Sequence, residues 1–158
     1  MKKSITEKDY GFVFIKLDDN PLSNKLLKSI ETMISEEPHS QICIFNSSNT
    51  KILSHTVPIL HLNQSKFFYG NLFLFDIQSA IITKSYPNVY KRYFYATDIP
   101  WEKNLSGDYR EWRDVFDSPN LEVIAQNQHI ADIYDICWKK PILIAEDFTY
   151  EHIKPILG

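Results

Sequence analysis

The sequence predicts an α/β fold built on a mainly parallel sheet with helices on both faces, and three observations carry that expectation. Short, continuous apolar runs rich in β-branched and aromatic residues recur along the chain, the pattern of strands covered on both sides. Between most of them lie segments whose apolar residues repeat at helical spacing. The connections are short and carry capping residues or proline, so strand and helix alternate.

Tyr10 to Leu17 reads as the first buried strand, ended by Asp18 and Asp19. Asn20 stands as an N-cap before Pro21, and Leu22, Leu26, Leu27, Ile30, Met33 and Ile34 mark one face of the helix that follows. Pro38 closes it, and Gln41 to Phe45 supplies the second strand. Asn46 to Thr50 is a polar turn segment, after which Thr56 to Leu62 is extended, with Pro58 making it a poor central strand.

Gly70 turns the chain into the strand Leu72 to Phe75, and Asp76 caps a short helix carrying Ile77, Ala80 and Ile81. Arg92 to Ala96 is the next strand, leading into a loop fixed by Pro100. Tyr109, Trp112, Val115 and Phe116 share a helical face before the break at Ser118, Pro119 and Asn120. Leu121 to Ala125 is a strand, and Ile130, Ile133, Tyr134 and Cys137 share a face of the helix His129 to Trp138. Pro141 to Ala145 is the last strand, and Tyr150 to Leu157 a final short helix with Pro155 in its last turn. The whole, 1–158, is expected to be a single Rossmann-like domain.

Composition narrows the classes. A hydrophobic fraction of 44% with 23% charged residues excludes a mostly disordered chain. The net charge of -3 offers no long-range attraction to nucleic acid. The aromatic fraction is high, at 14%, and core filling is the expected use of most of it. Cys43 and Cys137 lie in apolar runs and are expected to be reduced and buried. No run approaches the length of a membrane span, and Met1 to Tyr10 lacks a signal peptide's apolar segment, so a cytoplasmic location without membrane partners is expected.

Several chemistries have no motif here. With glycine only at positions 11, 70, 107 and 158, the chain carries neither the dinucleotide fingerprint nor a P-loop. Its histidines and cysteines have no metal-ligand spacing, so no metal is expected, and no G-x-S-x-G elbow is present. No cofactor is indicated.

Candidate site residues follow instead from topology, because ligands of open parallel sheets bind beyond the strands' carboxyl ends. The polar residues there are Asp18, Asp19, Asn46, Ser47, Asp76, Thr97, Asp98, Asn127, Gln128, Glu146 and Asp147, with His129 close by. Each of these types also caps helices. The richest stretch is YFYATDIPWE, Tyr93 to Glu102, where Asp98 and Glu102 could act as an acid–base pair beside the Trp101 platform. The ligand-binding candidates are then Asp18, Asn46, Asp76, Thr97, Trp101, Asn127, Gln128 and His129.

The stretches KRYFYATDIPWE, LEVIAQNQHIADIY and ILIAEDFTYEHI, together with the aspartate-led helix after Gly70, resemble small uncharacterised phage proteins. These in turn are similar to the N-terminal half of two-domain GT-B type glycosyltransferases. The resemblance covers roughly the last ninety residues. It implies a glycosyltransferase-like domain contributing an acceptor-binding or partner-binding surface, in modification of phage nucleic acid or of a glycan. A nucleotide sugar or glycan is then the implied ligand, nucleic acid enters only as a modification substrate, and the donor half would come from another chain or a second copy. Where such enzymes commonly place a serine after the corresponding strand, Gln126 or Asn127 stands here. The alternative is a noncatalytic interaction module that modulates a host or phage enzyme, with a protein partner or a homodimer. A ligand site predicts Tyr95, Trp101 and acids gathered in a concavity; an interaction module predicts a flat apolar patch.

Overall fold

The computed structural model describes residues 8–17, 21–47, 56–103 and 108–158. Seven strands form one sheet in the order β3-β2-β1-β4-β5-β6-β7, and every neighbouring pair is parallel. The strands are β1 Tyr10–Phe14, β2 Ile42–Asn46, β3 Ile59–His61, β4 Gly70–Leu74, β5 Val89–Ala96, β6 Leu121–Ala125 and β7 Leu143–Ile144. The helices are α1 Pro21–Glu36, α2 Ile77–Thr83, α3 Pro100–Lys103, α4 Tyr109–Phe116, α5 Gln128–Cys137 and α6 Tyr150–Ile153. This is a Rossmann-like α/β arrangement, as expected.

Handedness distributes the helices. Strand order runs outward from β1 to β3 and then restarts beside β1 with β4, so right-handed crossovers put α1 on one face and α2, α4 and α5 on the other. Each face has its own core. The α1 face holds Phe12, Ile44, Phe73, Tyr93, Tyr95 and Ile124; the opposite face holds Val13, Leu72, Phe94, Val123, Phe116 and Tyr134.

On the α1 face the aromatic residues align in register. Phe12 is paired with Phe73 and Phe73 with Tyr93 across β1, β4 and β5, and their rings stack with centroids 5.1 Å and 5.0 Å apart. Crossovers on the opposite face leave this ladder without a helix over β4 to β6. The C-terminal segment covers it instead. Phe148 meets Phe73, Phe75 and Tyr95 edge-on at 5.5, 5.1 and 5.1 Å. The hydroxyls of Tyr10 and Tyr95 donate to the carbonyls of Leu157 at 2.7 Å and Ala145 at 2.9 Å. Ring burial and hydroxyl satisfaction come from the same segment.

On the opposite face Arg92, at β5, is fully buried. It donates to the Ala80 carbonyl, the Ser118 Oγ and the Asn120 Oδ1, at 3.3, 2.7 and 3.0 Å. These bonds tie α2 and the turn before β6 to β5. Its partners are neutral, and desolvation lowers the guanidinium to about 10, which still leaves it charged at neutral pH.

Several sequence expectations are corrected. Cys137 is exposed and Cys43 only half-buried, because Cys137 is the last residue of α5 and lies beyond the turn that Tyr134 anchors. The thiols are free, and burial raises Cys43 to about 12. The last strand shrinks from Pro141–Ala145 to Leu143–Ile144, an edge strand whose outer side has no neighbour among the described residues. The extended segment near Pro58 joins the sheet as the opposite edge, where proline is tolerated. The loop fixed by Pro100 starts a one-turn helix, with proline at a position whose N–H needs no partner. Gly70, at φ 140°, has no room for a side chain, since a Cβ would sit 2.4 Å from the Asp9 carbonyl oxygen. The expected cap at Asn20 lies outside the described residues.

Replacing Phe148 by Ala uncovers the ladder and is expected to cost about 3–5 kcal/mol in urea unfolding; a loss below about 1 kcal/mol would show that the C-terminal segment is not what holds this face. The buried tyrosines also set an alkaline limit. Burial, reinforced by Glu37, raises Tyr10 to about 12, and burial with Asp147 raises Tyr95 to about 12. A folded-state value above the unfolded one of about 10 means stability that is complete below pH ~10 and is lost as pH rises towards ~12. Unfolding midpoints measured across that window should fall, and less steeply in Tyr95→Phe.

Candidate functional site

Because all seven strands are parallel, the residues that follow them share one edge. Asn46 ends β2 and is buried. Asp76 follows β4, Thr97 and Asp98 follow β5, and Asn127, Gln128 and His129 follow β6. Asp18 lies outside the described residues. Sharing an edge is not convergence, however, and the hydrogen bonds show what the individual side chains do.

Asp76 stands at the point where strand order reverses, between β1 and β4. One carboxylate oxygen accepts from the Ser79 N–H at 2.7 Å, capping α2, and the other from the Ile15 N–H at 3.4 Å. It thereby links the loops after β1 and β4. Burial holds its carboxyl above the usual range, opposed by the bonds from Ser79 and Ile15. Asn127 caps α5 by accepting from the Ile130 N–H at 2.9 Å. Gln128 donates to Asp132 at 2.6 Å, one turn along the same helix, and His129 is exposed.

Asp98 is half-buried, and its carbonyl accepts from the Tyr134 hydroxyl at 3.3 Å; Thr97 is half-buried beside it, and Glu102 is exposed on α3. Trp101 belongs to an aromatic cluster on the α5 face, with ring centroids 5.1 Å from Tyr134, 5.6 Å from Trp138 and 6.3 Å from Trp112. Packing is what these contacts do.

A concavity lies at the same edge but on the other face. It measures about 370 Å³ and separates α1 from the chain after β7. Lys25, Lys28, Ser29 and Thr32 form one wall, Glu146 to Glu151 the other, with Tyr95, Gln126 and Leu26 contributing between them. None of the nine described residues given a catalytic or ligand-binding role lines it. Tyr95, expected in a concavity, does, and so do Glu146 and Asp147.

The polar groups of this cavity divide into engaged and unengaged. The Tyr95 hydroxyl is held by the Ala145 and Glu146 carbonyls, and that of Tyr150 by Glu37 at 2.9 Å. Thr32 donates to the Lys28 carbonyl at 3.0 Å. Lys25 and Asp147 approach to 3.8 Å between the two walls, both well exposed. By contrast the Ser29 Oγ is buried without a hydrogen-bond partner among the described residues. The Gln126 side chain also makes no hydrogen bond to the described residues.

Compared with protein-family models, curated proteins and solved structures, the chain matches none. Among the described residues no three His, Cys, Asp or Glu side chains gather as a metal site, and no helix is long and apolar enough to cross a membrane.

The α1 wall was invisible from sequence, because a lysine, serine or threonine on an amphipathic helix has the signature of a solvated face. Spacing places Ser29 one position before the core residue Ile30. Only the later path of the C-terminal segment makes a wall of it.

Asp76→Ala removes the α2 cap and the link to Ile15, with an expected loss of about 1–2 kcal/mol in thermal unfolding. Because the folded-state carboxyl is raised, its contribution is complete below the unfolded value near 4 and declines as pH rises through the folded one. The stability of the parent relative to Asp76→Asn should therefore fall across that rise; a difference independent of pH would contradict the assignment.

Proposed function

We propose that this chain is a glycosyltransferase-like, Rossmann-type domain that contributes an acceptor-binding surface, used in modification of a glycan or of phage nucleic acid. The observation that carries the reading is the cavity between α1 and the chain after β7. It lies beyond the carboxyl ends of parallel strands, where ligands of such sheets bind, and its volume falls in the range of small-molecule sites. Its aromatic and aliphatic lining, from Leu26, Tyr95, Phe148 and Tyr150, is bordered by a few polar groups, the composition expected of a ligand pocket. Tyr95, Gln126 and every residue from Glu146 to Glu151 also fall within the stretches that carry the glycosyltransferase resemblance.

Asp98, in the loop after β5, and Glu102, exposed on α3, remain the acid–base pair of this reading. A second reading, the noncatalytic interaction module, is favoured by the open edge at β7, where Ile142 and Ile144 are 45% and 44% exposed.

The deciding measurement is amide chemical-shift mapping of the labelled protein with a panel of glycosides, nucleosides and nucleotide sugars. Saturable shifts confined to the cavity walls are expected, and they should vanish in Thr32→Trp, which places a large side chain at an exposed position of the wall. Absence of shifts at the walls with every probe would sink the reading. Sedimentation of the ligand-free protein as a dimer that Ile142→Lys dissociates would then favour the interaction module.

A further inference from the structure

We infer that the cavity receives an amino-acid zwitterion with an apolar side chain, its carboxylate held by Lys25 and Lys28 on the α1 wall and its ammonium by Glu146, Asp147 and Glu151 on the wall after β7. The shared chemistry is that of a free amino acid or a short peptide. This assignment rests on the cavity being a ligand site, as proposed above, and not on the resemblance that implies a sugar.

The charges of the cavity are sorted by wall. Lys25, Lys28 and Thr32 recur at the i, i+3 and i+7 positions of α1, so the two lysines stand one turn apart on the face that lines the cavity, and no carboxylate lines it from α1. The facing wall reverses the sign. Glu146, Asp147 and Glu151 line it without a cation. Across the gap Lys25 Nζ and Asp147 Oδ1 are 3.8 Å apart, with the two side chains 73% and 61% exposed. An ion pair this exposed contributes little. A ligand that parts it therefore gives up little and makes an ion pair with each wall.

Other charge patterns meet one wall badly. A phosphate or a dicarboxylate faces three acids, a diamine faces two lysines, and a neutral ligand gains from neither wall. Only a zwitterion is matched at both. The backbone does not alter this, because the α1 residues that line the cavity lie past the first turn of a helix that starts at Pro21, where N–H groups are engaged within the helix. Anion recognition is left to the lysines. Between the walls the lining is apolar: Leu26, Tyr95, Phe148 and Tyr150 contribute, and the hydroxyls of both tyrosines are already bonded, to the Ala145 carbonyl and to Glu37. What these residues offer is hydrocarbon and ring surface, the complement of an aliphatic or aromatic side chain.

The test is titration of the full chain, followed at the backbone amides of Lys28, Phe148 and Glu151. The zwitterionic probes are phenylalanine, leucine and the dipeptide phenylalanyl-leucine; N-acetylphenylalanine lacks the ammonium, phenylalaninamide lacks the carboxylate, and methyl glucoside is the neutral sugar. A zwitterion should bind about threefold or more tightly than either singly charged probe, and more weakly as sodium chloride is raised. The variants should separate the walls. Lys28→Gln should weaken the zwitterion and N-acetylphenylalanine by about two- to fivefold, the effect of one exposed ion pair, and spare phenylalaninamide. Glu151→Gln should weaken the zwitterion and phenylalaninamide and spare N-acetylphenylalanine. A singly charged probe that binds as tightly as the zwitterions, or variants that weaken all probes alike, would overturn the two-wall assignment. Methyl glucoside bound in the cavity more tightly than every zwitterion would overturn the ligand class and leave the proposed function standing. No movement of these amides with any probe would overturn both.

Discussion

The structure depends on one topological consequence of handedness. Once strand order restarts at β4, each later right-handed crossover carries its helix to the face opposite α1. The α1 face of β4, β5 and β6 would then expose Phe73, Tyr93 and Tyr95, and a stacked aromatic row is not stable in water. The segment after β7 resolves this by folding back across the sheet. Phe148 stands edge-on to the stacked row, and the tyrosine hydroxyls that would otherwise be stranded find main-chain carbonyls in the same segment. Tyr93 and Tyr95, with Tyr10 beside them, therefore have a purpose that phenylalanines could not serve: their hydroxyls, bonded to the Ile156, Ala145 and Leu157 carbonyls, fasten the cover while their rings fill the core.

The cavity is a by-product of the same arrangement. Helix α1 covers β1 and β2, the C-terminal segment covers the other half, and the two are different elements that meet only in part. Near Glu37 they close, where Tyr150 reaches across. Towards the carboxyl edge they stay apart, and the space between them is floored by the residues that end β5 and β6. A wall made by two independently placed segments needs no inserted loop and no special motif. That explains why a sequence with few glycines and no binding fingerprint can still present a concave site.

The strand runs and helix caps were legible because each is a local property. Buried parallel strands need apolar residues on both faces, and Asp76 and Asn127 announce their helices through residue type and position alone. What could not be read was anything set by the last thirteen residues. Tyr150 to Leu157 has a short helical pattern, and nothing in it says which face of the sheet it will cover. Cys137 is exposed for a related reason, since an apolar run fixes spacing but not where the supporting neighbour ends. Trp101 illustrates the reverse case: an aromatic beside acids in a proline-containing stretch has the look of a platform, yet its ring is taken up by Tyr134, Trp138 and Trp112.

These cases give a physical criterion for separating caps from binding groups along a parallel sheet edge. Capping consumes hydrogen-bonding capacity: both carboxylate oxygens of Asp76 accept from main-chain N–H groups, and the Asn127 oxygen does the same. Such residues are oriented by the fold, and a ligand that claimed them would have to displace a bond already made, with little net gain. Among the described residues, the Ser29 Oγ and the Gln126 amide make no such bond. Ser29 and Gln126 come from elements far apart in sequence, and both residues line the same cavity. Residue type alone ranks an aspartate after a strand above a serine in the middle of a helix. Accounting for where each polar atom's bonds already go reverses that order, and it moves the candidate site from the capped loops after β4 and β6 to the gap beside α1.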